Sequence, residues 1–424
     1  MNNFLQTFRA LRYRNYRLFF AGQGISVIGT MMQQMALSWL VYRLTNSTLM
    51  LGIVAFAGQL PAFFLTPIAG LLSDRKDRRA ILLISDIASM ILAIILTVLV
   101  ISGVVQPWHI IVISILSGIA GTFEMTTRHS FIHEMVDNKD DLGNAIALNS
   151  VIFNIARLLG PAIAGAIIAV AGEGICFAVN SVTFIAVIAA LLMMKLGAKP
   201  HVEHKKPLKE LSEGFKYVFG SVPLRIIIVL MAFISFTGSA VLVLLPVFAK
   251  DILGRGPQTY GFLTGSVGLG ALAGALYMAS RKTVRGLVSV MSFSLFLFGA
   301  ALVISAYTKT TAAAMVMLCV CGIGTMLHMS SSNIILQTVT DDDKRGRVMS
   351  FYLISFSGFG PLGNLASGWL AKEFGVRPVI AAGGVLTIAA GIVFLFMMRK
   401  MRAHLRPVYV KKGIITVDTG IEVK

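Results

Sequence analysis

The chain has 424 residues, 56% of them hydrophobic and only 13% charged, with a mean hydropathy of +0.81. A soluble domain carries about 25% charged residues, so this much apolar surface calls for lipid, and runs of about 20 apolar residues, enough for a bilayer core of about 30 Å, recur along the chain. A net charge of +18 would suggest a nucleic-acid partner in a soluble protein, but here the positive charge sits in short loops between apolar runs.

Residues 1–15, with Arg9, Arg12 and Arg14, form a short basic arm. Apolar runs predict spans at about 16–42, 49–72, 80–102, 108–130, 143–171 and 174–196. A polar, Lys-rich link follows over 197–223, and its stretch 208–219 has the amphipathic pattern of a helix lying on a membrane surface. Six more spans are expected near 224–250, 259–280, 287–306, 311–334, 347–371 and 377–399, then a basic, mobile tail over 400–424. The first apolar stretch is too long for a cleavable signal. Cys176, Cys319 and Cys321 all lie inside apolar runs, which points to no disulfide framework and no metal cluster.

The expected fold is an all-α membrane protein with 12 transmembrane helices in two pseudo-symmetric six-helix halves, 1–196 and 224–399, joined by a cytoplasmic link (197–223) and ending in a cytoplasmic tail (400–424). With an even number of spans both termini share one side. Thirty Lys and Arg then fall on that side and six on the other, with Arg157 inside a span. The positive-inside rule makes the terminal side cytoplasmic. The halves also echo each other. Ser150, Asn154, Arg157 and Pro161 recur 200 positions later as Ser350, Ile354, Ser357 and Pro361, and Glu124 matches His328 at an offset of 204. Duplicated halves around a midplane site are a common transporter plan.

The turn between the second and third spans reads Gly70-Leu-Leu-Ser-Asp74-Arg75-Lys-Asp77-Arg78-Arg79. It resembles the signature of the major facilitator superfamily, with Asp77 where that pattern has Gly. The resemblance implies a conformational gate of Gly70, Asp74, Arg75, Arg78 and Arg79. Asp74 would sit at the N-terminus of the helix beginning near Gly346-Arg347 and stabilise one closed state through the helix dipole. The corresponding turn of the second half has Ser280, Arg281, Lys282 and Arg285 but no acid, so such a lock is asymmetric. The hairpin over 117–165, followed by CFAVNSVTF at 176–184, resembles the branch of that superfamily containing the enterobactin exporter and macrolide-efflux-type proteins. Gly160-Pro161-Ala-Ile-Ala164-Gly165 is similar to the Gly-Pro-x-x-Gly-Gly element of drug/proton antiporters, with Ala164 for the first Gly of the pair and Ala156 for its upstream glycine. Gly160 and Pro161 thereby join the conformational candidates.

Depth sorts the intramembrane charges. At 1.5 Å per residue, Glu124 lies roughly 24 Å from the outer surface and Arg157 roughly 18 Å from the cytoplasmic one, about 12 Å apart in height. Arg128 stands at i+4 from Glu124, the favourable order for a helical pair. The preferred arrangement is Glu124 with Arg128, leaving Arg157 for substrate, water or a backbone carbonyl; a Glu124–Arg157 bridge stays open. Charges at such depth default to functional hypotheses because they cost several kcal/mol unless paired or wetted (about 3 kcal/mol on insertion scales); the bland alternative is a structural ion pair between two helices. Asp86 would pair with Arg78, Arg79 or Arg128. Gln23, Thr30, Gln34, Asn154 and His328 are candidates to line a wet cavity, though such residues also bridge helices.

These residues point to proton-coupled export of a small molecule (siderophore, macrolide or other drug, or metabolite) by alternating access, with Glu124, Arg128, Arg157 and Asp86 as the coupling candidates. An importer or uniporter of the same fold is the alternative, and a membrane enzyme or receptor is less favoured. No nucleotide-binding P-loop and no nucleophile–base arrangement occurs. No cofactor, no metal, no nucleic acid and no obligate protein partner are expected. The proton gradient would supply the energy, and the place of action would be the cell membrane.

Overall fold

Thirteen α-helices make up nearly all of the computed structural model, which describes residues 8–136, 138–195, 207–281, 283–341 and 344–414. In chain order they are α1 (Arg14–Thr45), α2 (Thr48–Arg75), α3 (Arg78–Ile101), α4 (Pro107–Met135), α5 (Lys139–Ala171), α6 (Glu173–Met193), α7 (Pro207–Gly220), α8 (Val222–Val247), α9 (Pro257–Ser280), α10 (Leu287–Tyr307), α11 (Thr311–Val339), α12 (Arg345–Phe374) and α13 (Val376–Lys411). Ten of them are long and apolar enough to cross a membrane. Helices α1 and α12 match them in length, at 32 and 30 residues, but are diluted by Gly, Ser, Gln and Asn. The protein is therefore an all-helical, multi-span membrane protein. Large apolar side chains such as Val170, Phe396 and Ile84, exposed at 88%, 82% and 69%, face what would be lipid.

Local chemistry sets the reversals. Ser47, Asp77, Asn138 and Thr310 cap the starts of α2, α3, α5 and α11 by accepting backbone N–H groups that a first turn leaves unpaired. The α5–α6 and α12–α13 connections are single glycines, Gly172 and Gly375, at φ +79° and +86°, a region closed to most side chains. Asp77 has φ −60° and caps α3. The turn that resembles the superfamily signature therefore needs no left-handed residue at the position where the pattern has glycine.

The packing scheme repeats itself. Helix α1 packs on α5 and α6, α2 on α4, and α3 on α4 and α6; in the same way α8 packs on α12 and α13, α9 on α11, and α10 on α11 and α13. Between these two sets the main seams are α5 with α9 and α2 with α12. Where lipid offers no hydrophobic drive between helices, close approach of small residues provides the packing energy. At Gly118 a Cβ would stand 2.1 Å from the Gly58 carbonyl, so α2 and α4 approach this closely only because Gly118 lacks a side chain.

The last expected element differs. The tail expected from residue 400 is instead a continuation of α13 to Lys411, because Met401, Leu405 and Tyr409 recur every four residues and are buried. Residues 415–424, and 196–206 of the link, lie outside the described residues. The amphipathic stretch at 208–219 falls within α7, whose Tyr217 hydroxyl donates to Asp341.

Candidate functional site

Helices α3, α4 and α5 bring the intramembrane charges together. Arg128 donates from Nη1 to Glu124 Oε1 at 2.9 Å, within one turn of α4. Gln23 of α1 donates to the same oxygen at 3.2 Å. Asp86 of α3 is buried within electrostatic range of both Glu124 and Arg128. Its expected alternatives are occupied elsewhere: Arg78 binds Glu134 at 2.7 Å and Asp74 at 3.3 Å, and Arg79 donates to the Leu192 carbonyl. Phe153 of α5 covers the Arg128 guanidinium at 4.4 Å from its ring centroid. The result is one buried arginine bonded to Glu124, with a second carboxylate, Asp86, within electrostatic range and an aromatic face over the guanidinium. Glu124 keeps 17% of its side chain accessible against 5% for Arg128, so it is the member of the cluster that water reaches.

Arg157 stands apart. It is exposed, and among the described residues its guanidinium has no hydrogen-bond or ion-pair partner. Gly160 of α5 sits against Ile28 and Met31 of α1, and Glu124 is level with Gln23 of the same helix. At 1.5 Å per residue this puts Arg157 about 6 Å in height from Glu124.

One face of α5 explains why Arg157 is open. Ile146, Ser150 and Arg157 are exposed and Asn154 is half-buried, whereas Pro161, Ala164 and Ile168, next along the same face, are buried. The change occurs where α9 meets α5. Cβ atoms at Gly261 and Gly165 would stand 2.4 Å from the Pro161 carbonyl and 2.7 Å from the Pro257 carbonyl. Pro161 has no N–H for the Arg157 carbonyl four residues earlier, and Gly268 of α9 packs against that carbonyl. Helix α12 behaves alike: Ser350, Ile354 and Ser357 are exposed, while Pro361, Asn364 and Gly368 are buried against α2. The bundle is thus open at the end bearing the link and sealed at the far end. Further far-end contacts are Tyr42 with Asp251, Lys250 with Asn46 at 2.8 Å, Thr48 with the Gly368 carbonyl at 2.9 Å, and Trp39 stacked on Tyr260.

The remaining candidates divide. Gln34 is exposed, and Asn154 donates to the Ser150 carbonyl within its own helix, as Thr30 does to the Ser26 carbonyl. Gln23 is buried against Glu124 rather than lining open space. His328 is likewise no cavity residue: it is 2% exposed, packed beside Ser294 of α10, with Nε2 buried and unpartnered. Gly70 is open to its surroundings, and Asp74 pairs with Arg78 of its own turn. Sequence reasoning passed over Phe153, whose position four residues before Arg157 placed it on the same face, and the Tyr42–Asp251 contact, which joins residues 209 positions apart and had no local signal.

Residues 5–411 match the family described as transmembrane secretion effector. The chain belongs to this family of major facilitator transporters. It is 28% identical to the staphyloferrin A transporter of Staphylococcus aureus, over 92% of this chain and 98% of that one. It is 22% identical to macrolide efflux protein A of Streptococcus pyogenes, over 90% and 96%. Its fold superimposes on a bacterial homologue of the human lysosomal transporter Spinster with a TM-score of 0.72 at 14% identity, covering 92% and 98% of the two chains. The protein is a membrane-embedded transporter of small molecules and not an enzyme.

Proposed function

We propose that this transporter exports its substrate across the cell membrane by proton-coupled alternating access, with both termini in the cytoplasm. Twelve spans would form two pseudo-symmetric halves, 1–196 and 224–399, joined by a cytoplasmic link over 197–223 and followed by a cytoplasmic tail over 400–424. The duplicated packing scheme supports the division, and the Lys and Arg distribution supports the orientation. On that orientation the cleft opens to the cytoplasm and the far-end seal faces outward.

The observation that carries the coupling is the Glu124–Arg128–Asp86 cluster beside the cleft. Two carboxylates against one guanidinium leave one negative charge in a place where uncompensated charge is expensive, so one proton neutralises the cluster. Glu124, being reachable, would take that proton and pass it on as the halves rock. Asp74, Arg75, Arg78 and Arg79 would form the cytoplasmic gate in the opposite state, where Asp74 would exchange Arg78 for the start of α12. Gly160 and Pro161 would act as the point where α5 pivots between α1 and α9. Efflux is favoured over uptake by the names of relatives such as macrolide efflux protein A.

Inside-out vesicles carrying an acridine-orange pH reporter test this. Addition of siderophores and macrolides in turn is expected to release protons with wild type for at least one compound, and not with Glu124→Gln. Fully coupled transport by Glu124→Gln, or transport indifferent to a protonophore, would sink the proposal.

A further inference from the structure

We propose that Arg157 is the anchor for a carboxylate head, so that the substrates of this protein are amphiphilic organic anions bound head-first at the closed end of the cleft. This deepens, and rests on, the transporter reading above. Four acidic or basic side chains lie well inside the spans: Asp86, Glu124, Arg128 and Arg157. Glu124 and Arg128 are bonded to each other, and Asp86 lies within electrostatic range of both. The fourth, a permanent cation, has no anion supplied by the described protein, and a guanidinium at that depth is costly unless something of opposite charge or water meets it. A planar guanidinium binds a carboxylate through two parallel N–H···O bonds, which fixes orientation as well as charge.

Position gives the anchor its direction. Arg157 is the last open residue of the α5 face before the Pro161–Gly261 seal. Below it the same face presents Asn154, Ser150 and Ile146, a strip that turns from polar to apolar towards the cleft mouth. The Asn154 amide N–H and the Ser150 hydroxyl each donate to a carbonyl of α5, and among the described contacts the oxygen of neither accepts from the guanidinium. Phe153 of the same helix covers the Arg128 guanidinium at 4.4 Å from its ring centroid, and Arg128 is further held by Glu124. The equivalent position on α12 is Ser357, so of these two matched positions one carries a cation, which suits one anionic head with an apolar body.

Three probes of one shape separate charge from size: 2-naphthoate, its methyl ester, and 2-naphthylmethylammonium. Binding is read by thermal shift and titration on the full chain in phosphatidylcholine nanodiscs, with and without phosphatidylglycerol. Naphthoate is expected to bind wild type at least tenfold more tightly than either analogue. Arg157→Gln should lose at least tenfold for naphthoate alone, and Arg157→Lys should retain part of it, since one charge survives without the fork. An unchanged probe-free melting curve for Arg157→Lys shows that the fold is intact. Unchanged naphthoate binding by Arg157→Gln, equal or better binding of the ester or the ammonium by wild type, or an Arg157-dependent response to phosphatidylglycerol but not to naphthoate would each overturn the anchor. These arms need no transport. A protein that binds naphthoate through Arg157 but exports nothing against a proton gradient would sink the proton-coupled export reading and leave the anchor standing.

Discussion

Helices α5 and α12 enter the bundle from the same end, carry their Gly-Pro steps 200 residues apart, and are each sealed by a helix of the opposite set beyond that proline. Their partners α4 and α11 pack on α2 and α9 in matching fashion. The two hairpins differ in what they hold. The first carries Glu124, Arg128 and Arg157; the second carries His328 buried among apolar residues, and Ser357. Shared shape with unshared charge separates two tasks. The glycine-lined seams determine how the two sets of helices meet, and both hairpins have them. In the proposed mechanism the acidic and basic groups inside the spans would determine what a movement of these sets is coupled to, and of the two hairpins the first carries them.

The largest effect should come from removing the cation that both carboxylates share. Arg128→Met leaves Asp86 as an uncompensated buried charge and takes from half-buried Glu124 its ion-pair partner, a change that costs about 3–5 kcal/mol. The expected outcome is a large fall in the thermal unfolding midpoint of the purified protein. Adding Asp86→Asn and Glu124→Gln to the same chain should recover most of it. Failure of that rescue would mean that Arg128 stabilises through its packing on Phe153 rather than through charge.

Much of this arrangement was visible in the residue order. The i,i+4 spacing of Glu124 and Arg128 on one helix face required only helical geometry, and the spans followed from apolar runs bounded by caps and glycines. What escaped depends on how separate helices rotate about their own axes. Gln23 and Glu124 lie 101 positions apart, and nothing local says that α1 turns that amide towards α4. His328 matched Glu124 by offset, yet α11 turns it onto α10. The extension of α13 was missed for another reason: its basic residues masked a sparse apolar stripe at Met401, Leu405 and Tyr409.

An intermediate effect is expected at the seams, where the hairpins should respond alike. A Cβ at Gly261 meets the Pro161 carbonyl at 2.4 Å, and one at Gly52 meets the Asn364 carbonyl at 2.8 Å. Backbone cannot yield as a side chain can, so Gly261→Ala and Gly52→Ala should each cost the sealed state about 1–3 kcal/mol, as overpacking does. A cysteine placed at Asn46, which now accepts from Lys250 across the far end, should react faster with an impermeant thiol reagent in both backgrounds. Acceleration in only one would show that the seams do not share the load and would break the symmetry argued above.

The smallest effect tests the asymmetry most directly. His328 Nδ1 lies 3.4 Å from the Ser294 hydroxyl, which already donates to the Met291 carbonyl at 2.7 Å, and the ring shares the Met291 backbone as a further partner. Its Nε2 is buried without a partner, a loss that the imidazole carries in the folded state. Replacing a poorly satisfied polar group by an apolar one of similar size is close to neutral. His328→Leu should therefore change stability by less than about 1 kcal/mol and leave proton release on substrate addition intact. If the variant folds but uncouples, the second hairpin takes part in proton handling after all. The separation of shape from charge between α5 and α12 would then have to be redrawn around His328.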